Sequence, residues 1–168
     1  MISLIDANAH EATANIYPML RKWAIRELER ADAHPAVAAY YEINSPVCQY
    51  CSMVVREVIG RKHLPVLSET LVYAGGHCIP EHTDRRGLDR AAIWPVFAAG
   101  SPPSDFMILG KAWPQKENEI LFFNGSRYSH YRKSHEGGMI VLVMFYSLAC
   151  GVFPLQVETG KQILEEYR

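Results

Sequence analysis

Between Leu64 and Ser147 the chain is a succession of short β-type runs, and that stretch constrains the fold more than any other feature. The runs are "SETLVYA", "AAIWPVFAA", "DFMILGKAW", "NEILFFN", "SRYSHYR" and "MIVLVMFYS", separated by "AGG", "GSPPS", "NG" and "EGG". Asn124-Gly125, between two such runs, predicts a tight hairpin. The longest apolar stretch, Met139–Phe153, is shorter than the roughly 20 residues of a spanning helix, and Gly151 interrupts it. Its Val, Ile and Phe content predicts a buried strand rather than a membrane segment.

Residues 1–62 read differently. Asp6 or Asn8 can cap a helix running to about Ala31, with Pro18 marking a break or restart. A second helix is bracketed by Ser45 as N-cap, Pro46 at the first helical position and Gly60 just past the end. Val47, Cys51, Val54, Val55 and Val58 follow the spacing of one buried helix face. Helices first and many short antiparallel strands after predict a mainly β (α+β) sandwich or small barrel buttressed by N-terminal helices. The 168 residues suit a single domain, with 1–62 as the helical buttress and 64–153 as the β core.

Composition narrows the classes of function. The chain is 49% hydrophobic and 21% charged, with a formal net charge of −1, a balance that gives no reason to expect nucleic acid or an anionic membrane as partner. The start "MISLIDANAHEA" lacks a basic segment followed by an apolar run, so no secretory signal is expected. Four cysteines without other marks of export are expected to be reduced, in a cytoplasmic protein. Oligomeric state is not legible.

The chemistry concentrates in "YAGGHCIPEHTDRRG", Tyr73–Gly87. On a strand, residues two apart project from one face, so His82 and Asp84 can aim an imidazole nitrogen and a carboxylate oxygen at one point while Thr83 faces away. With one more histidine they make the facial arrangement that holds Fe(II) and leaves positions open for a cosubstrate and dioxygen. His130 sits in "SRYSHYR", where alternation puts Tyr128, His130 and Arg132 on one face. His135 is the competitor, but it lies in the polar turn "KSHEGG", and the strand argument favours His130.

"LVYAGGHCIPEHTDR", "WPVF", "NEILFFNGSRYSHYR" and the closing apolar strand together resemble the core of the Fe(II)/2-oxoglutarate-dependent dioxygenases. The similarity is to the prolyl-hydroxylase-like branch, whose members read Y-x-x-G-x-x-(L)-x-x-H-x-D; Tyr73, Gly76, Ile79, His82 and Asp84 stand at those steps. It spans about Leu64 to Ala149. The resemblance implies a double-stranded β-helix (jelly-roll, cupin-like) barrel, with His82, Asp84 and His130 as iron ligands. It also implies Fe(II), 2-oxoglutarate and O2 as cofactor and cosubstrates, and hydroxylation as the default outcome.

One departure stands out. The family carries a base on its last core strand for the far carboxylate of 2-oxoglutarate, yet Met139–Phe145 contains none. A dicarboxylate needs a cation or several strong donors in a barrel. Arg132, on the His130 face and with Tyr73 donating a second hydrogen bond, is the preferred replacement. Lys111 is an alternative, and a third is that 2-oxoglutarate is not used. Arg85, Arg86 and Arg90 in "DRRGLDR" are candidates for an anionic substrate at the mouth, against the plainer reading of a solvated loop.

Cys48 and Cys51 have redox spacing, but Cys51 belongs to an apolar helix face, and packing is the expectation for both. His77 and Cys78 show no ligand spacing. The leading expectation is an Fe(II)- and 2-oxoglutarate-dependent oxygenase acting on a small molecule such as an amino acid or biosynthetic intermediate. The alternatives are a 2-oxoglutarate-independent cupin-like metalloenzyme and a non-catalytic ligand-binding barrel. The last of these predicts ligand side chains too far apart to share a metal.

Overall fold

The computed structural model describes residues 1–32, 39–73, 79–98, 100–133, 138–152 and 154–168, without the side chains of residues 31–32, 39–43 and 73. The chain opens with β1 (Ser3–Asp6), α1 (Glu11–Asp32), β2 (Ala39–Ile43) and α2 (Pro46–Ile59). Then come β3 (Leu64–Tyr73), β4 (Ile79–His82), β5 (Arg90–Phe97), β6 (Ser104–Ile108), β7 (Lys111–Gln115), β8 (Glu119–Phe123), β9 (His130–Arg132) and β10 (Met139–Ser147). A last helix, α3 (Val157–Glu165), closes the chain and packs on α2.

The strands make two antiparallel sheets, ordered β1-β8-β5-β10-β3-β2 and β4-β9-β6-β7. The quartet β8-β5-β10-β3 lying against β4-β9-β6-β7 is jelly-roll connectivity, so the fold is a double-stranded β-helix. β1 and β2 extend the larger sheet at its two edges.

β10 shows why its sequence is apolar without a break from Met139 to Tyr146. All nine of its residues are buried. Ile140, Leu142, Met144 and Tyr146 pack with Leu20, Trp23, Val47 and Cys51 of the helices. Met139, Val141, Val143 and Phe145 turn into the barrel, against Phe106, Ile108 and Phe123. A strand covered on both faces has no solvent face to make polar, and its period-2 alternation disappears.

α2 follows its local signals: Pro46 starts it, and Gly60, at φ 113°, ends it by donating its N–H to the Arg56 carbonyl. Ser45 precedes it without a side-chain cap bond. α1, by contrast, runs straight through Pro18. Proline inside a helix costs about 3 kcal/mol. Burial of Ile16, Leu20, Trp23 and Leu28 on the sheet offsets this, at roughly 1.5–3 kcal/mol for each large side chain. Pro18 itself faces solvent.

Three expectations about elements need correcting. The region before Leu64 is not helical throughout, since β1 and β2 pair with β8 and β3. The run "DFMILGKAW" is two strands, β6 and β7, joined by Leu109 (φ 51°) and Gly110 (φ 75°), the two left-handed residues that a tight hairpin requires. Asn124-Gly125 is not a hairpin turn: β8 and β9 belong to different sheets, and Gly125 is not left-handed. Among the described residues, no helix is long and apolar enough to cross a membrane.

Candidate metal centre

His82 ends β4 and His130 begins β9, and the two are register partners across the β4–β9 ladder. Their rings lie 4.4 Å apart between centroids. Asp84 is beyond the end of β4, so strand alternation alone does not aim it. Its backbone N–H donates to the Gly125 carbonyl at 2.8 Å, which pulls the post-strand segment onto the β8–β9 connection. Asp84 Oδ1 then sits 3.5 Å from His82 Nε2 and 3.2 Å from His130 Nε2.

Each imidazole is oriented by its other nitrogen. His82 Nδ1 lies 2.8 Å from the Pro80 carbonyl and His130 Nδ1 lies 2.7 Å from the Tyr128 carbonyl. A carbonyl oxygen only accepts, so Nδ1 carries the proton and donates in both rings, and in a neutral ring Nε2 presents a lone pair. Such anchoring of the outer nitrogen is how metal-binding histidines are held. His130 is further packed edge-on against Phe123, centroids 4.9 Å apart, and stacked over Phe106 at 5.7 Å.

Ligand atoms of His82, Asp84 and His130 all lie within 4.8 Å of one another, the only such group among the described residues. Three donors on one face of a metal, each roughly 2.1 Å from it, would stand about 3 Å apart, close to the two distances above. With both rings neutral, two lone pairs and a carboxylate converge there, an arrangement that a cation relieves. Asp84 Oδ2 adds to this, being buried with no hydrogen-bond partner. Side-chain exposure is 7% for Asp84, 5% for His130 and 42% for His82, so the cluster opens to solvent on the His82 side. These residues fit a divalent metal with nitrogen and oxygen ligands.

Gly125 makes that geometry possible. A Cβ built there would stand 1.8 Å from Asp84 Oδ2, 2.9 Å from its carboxyl carbon and 3.4 Å from His130 Cε1. The glycine read in sequence as a hairpin signal is thus a space requirement of the carboxylate.

The cluster lies on a cavity of about 370 Å³ whose wall includes Ile93, Phe106, Val141, Val143 and Phe145. Arg132 reaches the same cavity from β9 and is 1% exposed. It donates to Ser104 Oγ at 3.0 Å and Gln115 Oε1 at 2.8 Å, and stands 5.0 Å over the Phe106 ring. Gln115 is itself held by donating to the Ile93 carbonyl at 3.2 Å.

The other predicted residues divide. Arg85 is exposed but lines the cavity, whereas Arg86 is exposed and outside it. Arg90, at the start of β5, donates to the Asp89 carbonyl. Lys111 is exposed, with its ammonium 5.0 Å over the Trp113 ring, and does not line the cavity. Cys48 and Cys51 are fully buried on the helix side of the sheet. Burial pushes the Cys48 thiol up to about 12, partly opposed by bonding to Ser68 and Thr70, and raises Cys51 well above its ordinary value. Those are packing thiols. His77, Cys78, His135 and the side chain of Tyr73 lie outside the described residues.

Glu69 was not singled out in the sequence. It projects from β3 into the cavity between inward-facing Leu67 and Leu71. Burial raises its carboxyl above the usual range, and the charge of Asp84 raises it further, against opposing pulls from Arg85 and His82. The available signal was a charged residue on the apolar side of an alternating strand.

No protein-family model and no curated protein matches the sequence. Solved structures do. A prolyl-4-hydroxylase from Pseudomonas putida is 13% identical, with 87% of this chain covering 91% of that one at a TM-score of 0.61. The viral collagen prolyl hydroxylase of Paramecium bursaria Chlorella virus-1, solved with 2OG, is 12% identical, with 89% of this chain covering 96% of that one at 0.58. This chain spans only 53% of a 2OG-Fe(II) oxygenase-family oxidoreductase from Burkholderia pseudomallei (61% of this chain, 14% identity, TM-score 0.49). Likeness at this identity establishes the fold. The chain is a double-stranded β-helix protein with a His–Asp–His cluster at its cavity. Within that class, its fold is the one these prolyl hydroxylases have.

Proposed function

We propose that the protein is a non-haem Fe(II)- and 2-oxoglutarate-dependent oxygenase that hydroxylates a small molecule, such as an amino acid or biosynthetic intermediate. The observation that carries this reading is the meeting of His82, Asp84 and His130 in one cavity with the buried cation Arg132. His82 Nε2, His130 Nε2 and an Asp84 oxygen would hold the iron on one face. When bound, Fe(II) with 2-oxoglutarate and O2 supplies the oxidation: one oxygen atom enters a substrate C–H bond, the other ends in succinate, and CO2 leaves.

The remaining work falls to the chain. Arg132 is two residues along β9 from His130, a rise of roughly 7 Å. A five-carbon dicarboxylate with one end at the iron covers that span. Ser104 and Gln115 orient the guanidinium before any ligand arrives, so little is lost in ordering it. Arg132 thereby answers the absence of a base on β10, whose inward positions Val141, Val143 and Phe145 instead keep the cavity apolar and dry.

Anaerobic Fe(II) titration followed by 2-oxoglutarate tests the proposal. The expected result is a visible charge-transfer band from the chelate and, after oxygen is admitted, slow succinate formation without substrate. Iron binding with no response to 2-oxoglutarate would refute the cosubstrate and favour the cupin-like metalloenzyme reading, for which the base-free β10 is the supporting observation. The non-catalytic barrel required scattered ligand side chains, and their convergence within 4.8 Å argues against it.

A further inference from the structure

Among the described residues, the cavity carries two charged groups that neither metal nor cosubstrate needs, Glu69 and Arg85. Glu69 sits half-buried on β3, and no described side chain hydrogen-bonds or ion-pairs with its carboxylate. It is not part of the metal-binding group, being absent from the set whose ligand atoms converge. A carboxylate here is unfavourable to the fold, because it is half-desolvated on an otherwise apolar strand face near the negative Asp84. It would also repel 2-oxoglutarate. Arg85, on the segment just beyond Asp84, supplies a guanidinium at the rim of the same cavity, and no salt bridge joins it to Glu69 among the described residues. Opposite charges that share a cavity without closing on each other leave room for a ligand bearing both.

We propose that Glu69 binds a substrate ammonium group and Arg85 the substrate carboxylate, so that the substrate is a free α-amino acid rather than a residue inside a peptide. This rests on the oxygenase reading and narrows its substrate. Glu69 lies close enough to Arg85 and His82 to feel both charges, and Arg85 and His82 are exposed, whereas Arg132 is buried. Substrate and cosubstrate are thereby sorted by charge: the dianion goes to Arg132, away from Glu69, and the zwitterion bridges Glu69 and Arg85. An amide nitrogen within a peptide carries no charge and would leave the Glu69 carboxylate uncompensated.

The test is binding to the anaerobic Fe(II)- and 2-oxoglutarate-loaded protein, with the free L-amino acids each compared with its N-acetyl derivative. The readouts are the shift of the chelate band and the unfolding temperature. At least one free amino acid is expected to bind saturably, with its N-acetyl form about tenfold to a hundredfold weaker. Glu69→Gln should abolish that preference without weakening Fe(II) or 2-oxoglutarate binding, and Arg85→Gln should abolish the preference for the free acid over its methyl ester. The proposal is overturned if no amino acid binds, if N-acetyl forms bind equally well, or if Glu69→Gln keeps the preference. The last result would make Glu69 a charge-balancing group only. Absence of the chelate band in the wild type refutes the oxygenase reading instead. The same comparison on Co(II)-loaded protein, read by unfolding temperature, then decides Glu69 separately.

Discussion

Alanine at Gly125 adds one carbon to the chain and is expected to remove the metal. Its Cβ would stand 1.8 Å from Asp84 Oδ2. Non-bonded heavy atoms rest at roughly 3.5 Å, so the carboxylate must retreat by more than about 1 Å. Metal coordination tolerates only about 0.2 Å. The peptide unit offers no easy escape, because the Gly125 carbonyl accepts the Asp84 N–H at 2.8 Å, and moving one moves the other. The backbone at Gly125 is not left-handed, so alanine meets no conformational strain of its own, and the whole effect comes from the clash. Disturbing the groups that merely orient ligands costs about 10- to 100-fold in affinity. Displacing a ligand should cost at least on the order of 100-fold by the same scale. The metal-free fold should lose only about 1–3 kcal/mol, the usual penalty for overpacking. Anaerobic Fe(II) titration, with Co(II) as a spectroscopic probe, measures the first effect, and thermal unfolding of metal-free protein measures the second. Wild-type metal affinity in a cooperatively folding Gly125→Ala protein would refute the reasoning, and with it the placement of Asp84 in the metal site.

Three further outcomes follow from the same geometry. Arg132→Met should retain Fe(II) but weaken 2-oxoglutarate by about tenfold to a hundredfold, and should cost about 1–3 kcal/mol because Ser104 and Gln115 lose a buried partner; chelate absorbance and chemical denaturation measure the two. His130→Ala should abolish iron binding while His135→Ala preserves it, and the reverse pattern by titration would show the third ligand to be His135. Alkylation of the native protein at pH 8, mapped by peptide mass, should label exposed Cys150 and spare Cys48 and Cys51, whose buried thiols are held above their ordinary values.

Much of this was readable before any coordinates. A strand with eight apolar or aromatic residues in a row, Met139 to Tyr146, predicts cover on both faces, and β10 has helices on one side and barrel on the other. The H-x-D pair and the later histidine were visible as candidate donors, although their meeting depends on the β4–β9 ladder and on the Asp84–Gly125 bond. The missing base on β10 was equally visible, since it is a matter of composition. These features are local, because backbone geometry sets the period at which side chains share a face. The sequence therefore records that face directly.

The tertiary structure decided the rest. Gly125 looked like turn punctuation because glycine commonly serves left-handed turns. Its actual constraint is the Asp84 carboxylate, brought against it by a contact between segments far apart in the chain. Pro18 looked like a helix break because local propensity is weighed without the burial that overrides it. Glu69 was inconspicuous in "SETLVYA", since only closure of the two sheets shows that its side of β3 faces the cavity. Arg132, preferred from its strand face, is a buried and pre-oriented cation because β6 and β7 supply Ser104 and Gln115. The sequence determined which residue types each strand presents and at what period. Which of them meet was decided by pairing and closure across long stretches of chain, which no local pattern encodes.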